Sequence, residues 1–155
     1  MLSSSCSKEE VDNDQTVVGI WTLTNYDIGF SADINNDGIK SFNLLDEIDC
    51  RVNEELVFES NGTVVSNDSF HHIIDISKSE LTSAYIFAVE CSEGYVSFAT
   101  SYTQISSNMV EFNDDTSLIN NNQLTRVFEN AIEIYNEDFT EVVEVKNLTL
   151  TYTKQ

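Results

Sequence analysis

The chain has 155 residues, 41% of them hydrophobic, with 9 Phe and 6 Tyr, so it is the size of one domain and carries enough apolar side chain to build a core. Its 7 Lys and Arg stand against 27 Asp and Glu, a formal charge of -20, and the basic residues are scattered rather than clustered. Nucleic acid and anionic lipid surfaces are excluded as partners on that ground, because affinity for them comes from grouped cations that release counterions; disorder is excluded by the apolar content.

Residues 1–15 have almost no apolar periodicity and read as a tether. Within them, Met1-Leu2-Ser3-Ser4-Ser5-Cys6 resembles the end of a lipoprotein signal peptide, in which the cysteine becomes the lipidated first residue. Lys8-Glu9-Glu10, a basic residue followed by two acids, further resembles the surface-export signal of Bacteroidetes lipoproteins. The resemblance implies lipidation at Cys6 and an outer-membrane or cell-surface protein that touches the membrane only through its acyl anchor.

The folded part is expected from residue 16 to residue 155, beginning near Thr16. Runs rich in β-branched and aromatic residues predict strands over Val17–Ile28, Glu55–Glu59, Thr63–Ser66, Ser83–Glu90, Tyr95–Thr103, Met109–Asn113, Gln123–Glu129, Ala131–Tyr135 and Leu148–Thr153. Asn61-Gly62 between two such runs predicts a tight two-residue hairpin, and Glu93-Gly94, Asn113-Asp114-Asp115 and Asn120-Asn121-Asn122 mark further turns. Short helices are expected at Asn43–Asp49 and Ser77–Leu81. At the carboxyl end Leu148, Leu150 and Tyr152 alternate with Thr149, Thr151 and Thr153, the pattern of a strand with one wet face. The expected fold is all-β, an antiparallel up-and-down barrel of about eight to ten strands, since closure removes exposed edges; a sandwich is the alternative.

Gly19-Ile20-Trp21 opens the first predicted strand, with glycine two places before tryptophan. Together with the Asp33–Gly38 loop, Asn43-Leu44-Leu45-Asp46-Glu47, Cys50 and the run Glu55–Thr63, it looks like the lipocalin-like lipoproteins of Bacteroidetes. The likeness covers Val18–Thr63 well and the later half loosely, through Cys91 and the terminal strand. It implies a small lipocalin-like barrel at the cell surface.

Asp33-Ile34-Asn35-Asn36-Asp37-Gly38 spaces oxygen side chains at alternate places before a glycine, as a hard cation requires. The predicted calcium ligands are Asp33, Asn35, Asp37, the carbonyl of Ile39, Ser41, and the acids Asp46 and Glu47. Leu44 stands where an EF-hand would need its bidentate glutamate, so the loop is a DxNxDG turn in a β-setting, and the ion's role would be structural. The rival reading is a solvated Asx-rich turn without metal; the mutual repulsion of the gathered carboxylates favours the cation.

Cys50 and Cys91 sit at the edges of apolar runs, without the CxxC or Cys-His pattern of a zinc site. Spacing leaves a disulfide and two free thiols equally open. The lipoprotein-like amino terminus, which implies an oxidising compartment, favours the bridge. His71 and His72, adjacent in a strand, point to opposite faces and read as exposed strand-end residues. Asp68-Ser69-Phe70 resembles the O-glycosylation acceptor of Bacteroidetes. No catalytic constellation is legible, so a non-catalytic protein is expected, a monomer whose partner is a small apolar ligand in the barrel or a basic protein met by the acidic exterior.

Overall fold

The computed structural model describes residues 16–155; the 1–15 tether, with Cys6 and Lys8-Glu9-Glu10, lies outside them. The strands are β1 (Gly19–Asp27), β2 (Glu55–Phe58), β3 (Thr63–Asn67), β4 (Phe70–Lys78), β5 (Tyr85–Glu93), β6 (Ala99–Ser101), β7 (Thr103–Ser106), β8 (Met109–Phe112), β9 (Asp115–Asn120), β10 (Gln123–Asn136) and β11 (Val142–Lys154). One 3-10 turn, Leu44–Asp46, stands where the first short helix was expected, capped by the Asn43 side chain accepting from the Leu45 N–H.

Nine of the strands follow one another in the order β6-β3-β2-β1-β11-β10-β9-β8-β7. The two ends of that order are consecutive in the chain, separated only by Tyr102, so the segment 99–106 pairs with β3 through its first half and with β8 through its second. The sheet thereby comes back on itself as a nearly closed barrel, and apart from the β4–β5 hairpin each strand neighbours the next in sequence, the up-and-down order expected. Tyr102 fastens the seam: its backbone N–H donates to the Gly62 carbonyl at 2.9 Å, and its hydroxyl donates to the Glu59 carbonyl at 2.8 Å.

A barrel this small has an interior just wide enough for side chains. Trp21, Leu23, Leu56, Phe58, Val64, Val110, Phe112, Ile119, Leu124, Leu150 and Tyr152, drawn from seven of the strands, form one buried cluster there. Trp21 is at its base, fully buried, with Nε1 donating to the Val17 carbonyl at 2.7 Å and the Lys154 ammonium 5.3 Å from its ring centroid. Gly19 has φ +136°, and a Cβ there would come within 3.0 Å of Lys154 Cε, which is why glycine precedes the tryptophan by two.

β10 and β11, of 14 and 13 residues, outrun the barrel after a bulge between Phe128 and Ile132. Their far ends carry the β4–β5 hairpin: β4 pairs with β10 in parallel at Ile134↔Ile76 and Tyr135↔Ser77, the one parallel pairing among the described residues. Beneath this extension lies a second buried cluster, Ile28, Ala32, Leu44, Ile76 and Ile134, with Phe30, Tyr85 and Phe87 packed against it. Cys50 and Cys91 are joined by a disulfide with Cα atoms 5.3 Å apart, tying β5 to the segment that leads into β2.

Three local expectations are corrected. Ser77 and Lys78 end β4 rather than opening a helix, and residues 80–82 are a turn. The hairpin at Asn61-Gly62 is longer than two residues: Gly62 N–H returns to the Glu59 carbonyl at 3.1 Å, only Gly62 takes a positive φ, and the Asn61 side chain accepts from the Thr63 N–H at 2.9 Å. The predicted strands Gln123–Glu129 and Ala131–Tyr135 are one bulged strand, with Asn130 at φ 53°.

Candidate metal loop and buried polar cluster

The Asp33–Gly38 loop bridges β1 and the 3-10 turn, its base closed by mutual backbone hydrogen bonds of 3.0 Å between Ala32 and Ser41. Its side chains turn inward on their own backbone: Asp33 Oδ2 accepts from Gly38 N–H at 3.0 Å, Asn35 Oδ1 from Asp37 N–H at 2.9 Å, and Asp37 Oδ1 from Ile39 N–H at 2.8 Å. Asn36 and Gly38 adopt the positive φ angles that make the turn sharp. Glu47 reaches the loop from the 3-10 turn, its Oε2 accepting from Ile34 N–H at 3.0 Å, and is only 4% exposed. Ser41 and Asp46 bond one another at 3.1 Å, Asp46 also accepting from Asn43 Nδ2 at 3.3 Å.

The fold thus gathers Asp33, Asn35, Asp37 and Ile39 in one turn with Glu47 at its root, while Ser41 and Asp46 form a separate pair beside it. The donors are hard oxygens, and Asp33 Oδ1 is buried with no hydrogen-bond partner, both of which suit a cation. Among the described residues, no three His, Cys, Asp or Glu side chains are arranged closely enough to hold a metal ion between them.

A second group of polar residues, scattered in sequence, converges between the two apolar clusters. The Tyr152 hydroxyl donates to Glu54 Oε1 inside the barrel end. Burial pushes the Glu54 carboxyl up, and nearby Asp68 adds to the rise, against the lowering effects of Tyr152 and Arg126. Arg126, 7% exposed, lies with its guanidinium 4.6 Å and 4.7 Å from the Phe112 and Phe128 ring centroids, and 3.7 Å from Asp115. Burial raises the Tyr26 phenol to about 12, with Glu54 contributing.

The histidines differ from the exposed pair expected. His72 faces inward with its ring edge-on to Tyr26, centroids 4.7 Å apart, and neither ring nitrogen has a hydrogen-bond partner. Desolvation lowers its pKa, as does His71 next to it. His71 Nδ1 sits 3.8 Å from Asp68 Oδ1. Ser69, in the acceptor-like Asp68-Ser69-Phe70, is held by Asn53, whose Nδ2 lies 2.7 Å from the serine hydroxyl. Sequence reading missed this cluster; the only local trace was Asp75 and Ser77 alternating with Ile74 and Ile76, the mark of a strand carrying His72 inward.

The buried Glu54 sets a stability trend with a definite sign. A carboxyl whose pKa is raised on folding contributes its stability below the ordinary value of 4.5 and loses it as pH rises through the folded value. Glu54→Gln keeps an acceptor for Tyr152 and removes the titration. The variant is expected to unfold at higher denaturant than wild type at neutral pH, the difference vanishing on acidification below 4.5; an equal difference at both pH values would refute the assignment.

Two shallow clefts flank the extension. One, of about 310 Å³, lies between Phe30, Asp33 and Lys40 on one side and Tyr85 and Phe87 on the other. The second, of about 360 Å³, runs from Asp27 and Gly29 to Val145 and Asn147. No protein-family profile, curated protein or solved structure matches the chain.

Proposed function

We propose that this is a non-catalytic barrel protein of the cell surface, lipid-anchored through Cys6, that works through its acidic exterior by engaging a basic protein. The observation that carries the reading is the packed interior. Trp21, Tyr152, Phe58 and Phe112 are each no more than 2% exposed and occupy the space a small apolar ligand would need. That weighs against the other expected partner, an apolar molecule inside the barrel, and leaves the surface to carry function. With a charge of -20 and few cations, association with a cationic partner is electrostatically steered. The likeness of Val18–Thr63 to the lipocalin-like lipoproteins of Bacteroidetes and the Cys50–Cys91 bridge, which suits an oxidising compartment, support the location.

Calcium belongs to this reading as a structural ion. Asp33, Asn35, Asp37, the Ile39 carbonyl and Glu47 would hold it, relieving the repulsion of their carboxylates, with Ser41 and Asp46 alongside.

Isothermal titration with lysozyme as a cationic probe is expected to give saturable binding that weakens steeply with salt. No binding to lysozyme or to a panel of small basic proteins at low ionic strength would defeat the reading. Stoichiometric uptake of a fatty acid would move the function back to the barrel. Native mass spectrometry is expected to show one calcium lost on chelation; no calcium mass in excess calcium would remove the ion.

A further inference from the structure

We propose that the outer face of the extension built from β5, β4, β10 and β11 is the docking surface for a cationic, extended segment of the partner, in which apolar residues alternate with Lys or Arg. This rests on the reading above and gives it a place. Cross-strand register aligns the face: Ser77 is opposite Ile86 on one side and Tyr135 on the other, Tyr135 is opposite Val142, and Glu133 is opposite Val145. Ile86, Val142 and Val145 are 46%, 39% and 45% exposed, and Phe139, 48% exposed, lies with its ring 5.7 Å from that of Tyr135. These apolar side chains stand on the opposite side of the sheet from Ile76 and Ile134, which are buried in the second core.

Carboxylates surround them. Asp75, Glu90, Glu133, Glu137, Asp138 and Glu141 are all exposed, and among the described residues none of them forms a salt bridge. The two lysines nearest in sequence, Lys146 and Lys78, are both taken by Glu144 on the inner side, at 2.7 Å and 3.3 Å, and the Lys146 bond, with those of the Tyr85 hydroxyl and Lys78, holds the Glu144 carboxyl down at about 2. The face therefore presents apolar contact inside an uncompensated acidic rim. A second copy of the chain would set acids against acids, and phosphate-bearing surfaces would be repelled in the same way; a cationic segment with interleaved apolar residues matches both features.

The backbone favours an extended partner. Among the described residues, β5 pairs only with β4, and β1 accompanies β11 no farther than Asp27↔Thr149, so none of them pairs with the edge of β11 at residues 142–147, along the cleft to Asp27 and Gly29. Free edges accept an added strand, whose alternate side chains then fall on the outer face.

The test uses two peptides of equal length and charge, one alternating Lys with Val and the other Lys with Ser, titrated into the labelled protein by fluorescence anisotropy and NMR. The Lys–Val peptide is expected to bind about tenfold more tightly, with shifts confined to β5, β10 and β11. Glu133→Gln with Glu141→Gln is expected to weaken it about tenfold, and Val142→Thr with Val145→Thr to erase its advantage over Lys–Ser, while Glu111→Gln with Asp114→Asn on the barrel wall changes it less than about twofold. Equal losses in both charge variants, or equal affinity for the two peptides, would overturn the face and leave the basic-partner reading standing. Absence of binding by either peptide at low salt would sink both.

Discussion

Replacing Cys50 and Cys91 together by serine is expected to lower the free energy of unfolding by about 4 kcal/mol, the entropy of closing a loop whose ends are 41 residues apart. For a domain of ordinary stability that is about a quarter or more of the whole. The loss arises mainly in the unfolded chain, which regains the conformations the cross-link forbids. The folded protein also changes, because among the described residues β5 pairs in the sheet with β4 alone, and the bridge ties it to the segment before β2. Urea unfolding of the double variant and of reduced wild type should give coincident midpoints, both well below that of the oxidised protein. Hydrogen exchange should accelerate first in residues 85–93. Unchanged midpoints would mean that the bridge does not restrain the unfolded chain.

Trp21→Ala is expected to cost about 3–5 kcal/mol, the range for removing a large aromatic from a packed core. Three contributions act together: the apolar area lost, the cavity left between β1, β2 and β11, and the Val17 carbonyl deprived of the indole donor. The barrel is too narrow for neighbours to collapse fully into such a space, since Phe58, Leu56 and Tyr152 are held by their own strands. Thermal unfolding of this variant, compared with Leu118→Ala at a 54% exposed position of β9, separates core loss from ordinary surface change. A similar small shift in both would show that the tryptophan does not anchor the barrel.

The metal loop and the buried polar cluster differ in how far the chain reveals them. Asp33, Asn35, Asp37 and Gly38 are near neighbours, so their arrangement is a property of one turn and can be read from spacing. Glu54, Arg126, Tyr152 and His72 come from four separate strands or connections, and only register places them side by side. Neither β4 nor β9 was predicted as a strand: the polar residues His71, His72 and Asp75 masked the alternation of the first, and Asn-Asp and Asn-rich turns crowded the six residues of the second. Leu148–Thr153 was read correctly, but residues 142–147, which extend β11 past the barrel and carry the proposed docking edge, were not. Their Val-Val-Glu-Val run has no single apolar face, because both sides of that part of the sheet are partly wet.

What the amino-acid order determined by itself is local. It determined the acidic balance, a sum over the whole chain, and it determined the alternation that makes strands and the close-set oxygens of the Asp33 turn, because these two depend on residues a few places apart. The closing of the sheet through the segment 99–106, the filling of its interior, the joining of Cys50 to Cys91, the β4–β5 hairpin laid on β10, and the convergence of Glu54, Arg126, Tyr152 and His72 were decided by the tertiary structure. These depend on strand register and bulges, which set the partners of residues far apart in the chain, and register is settled only when every strand finds the one alignment that buries its apolar face.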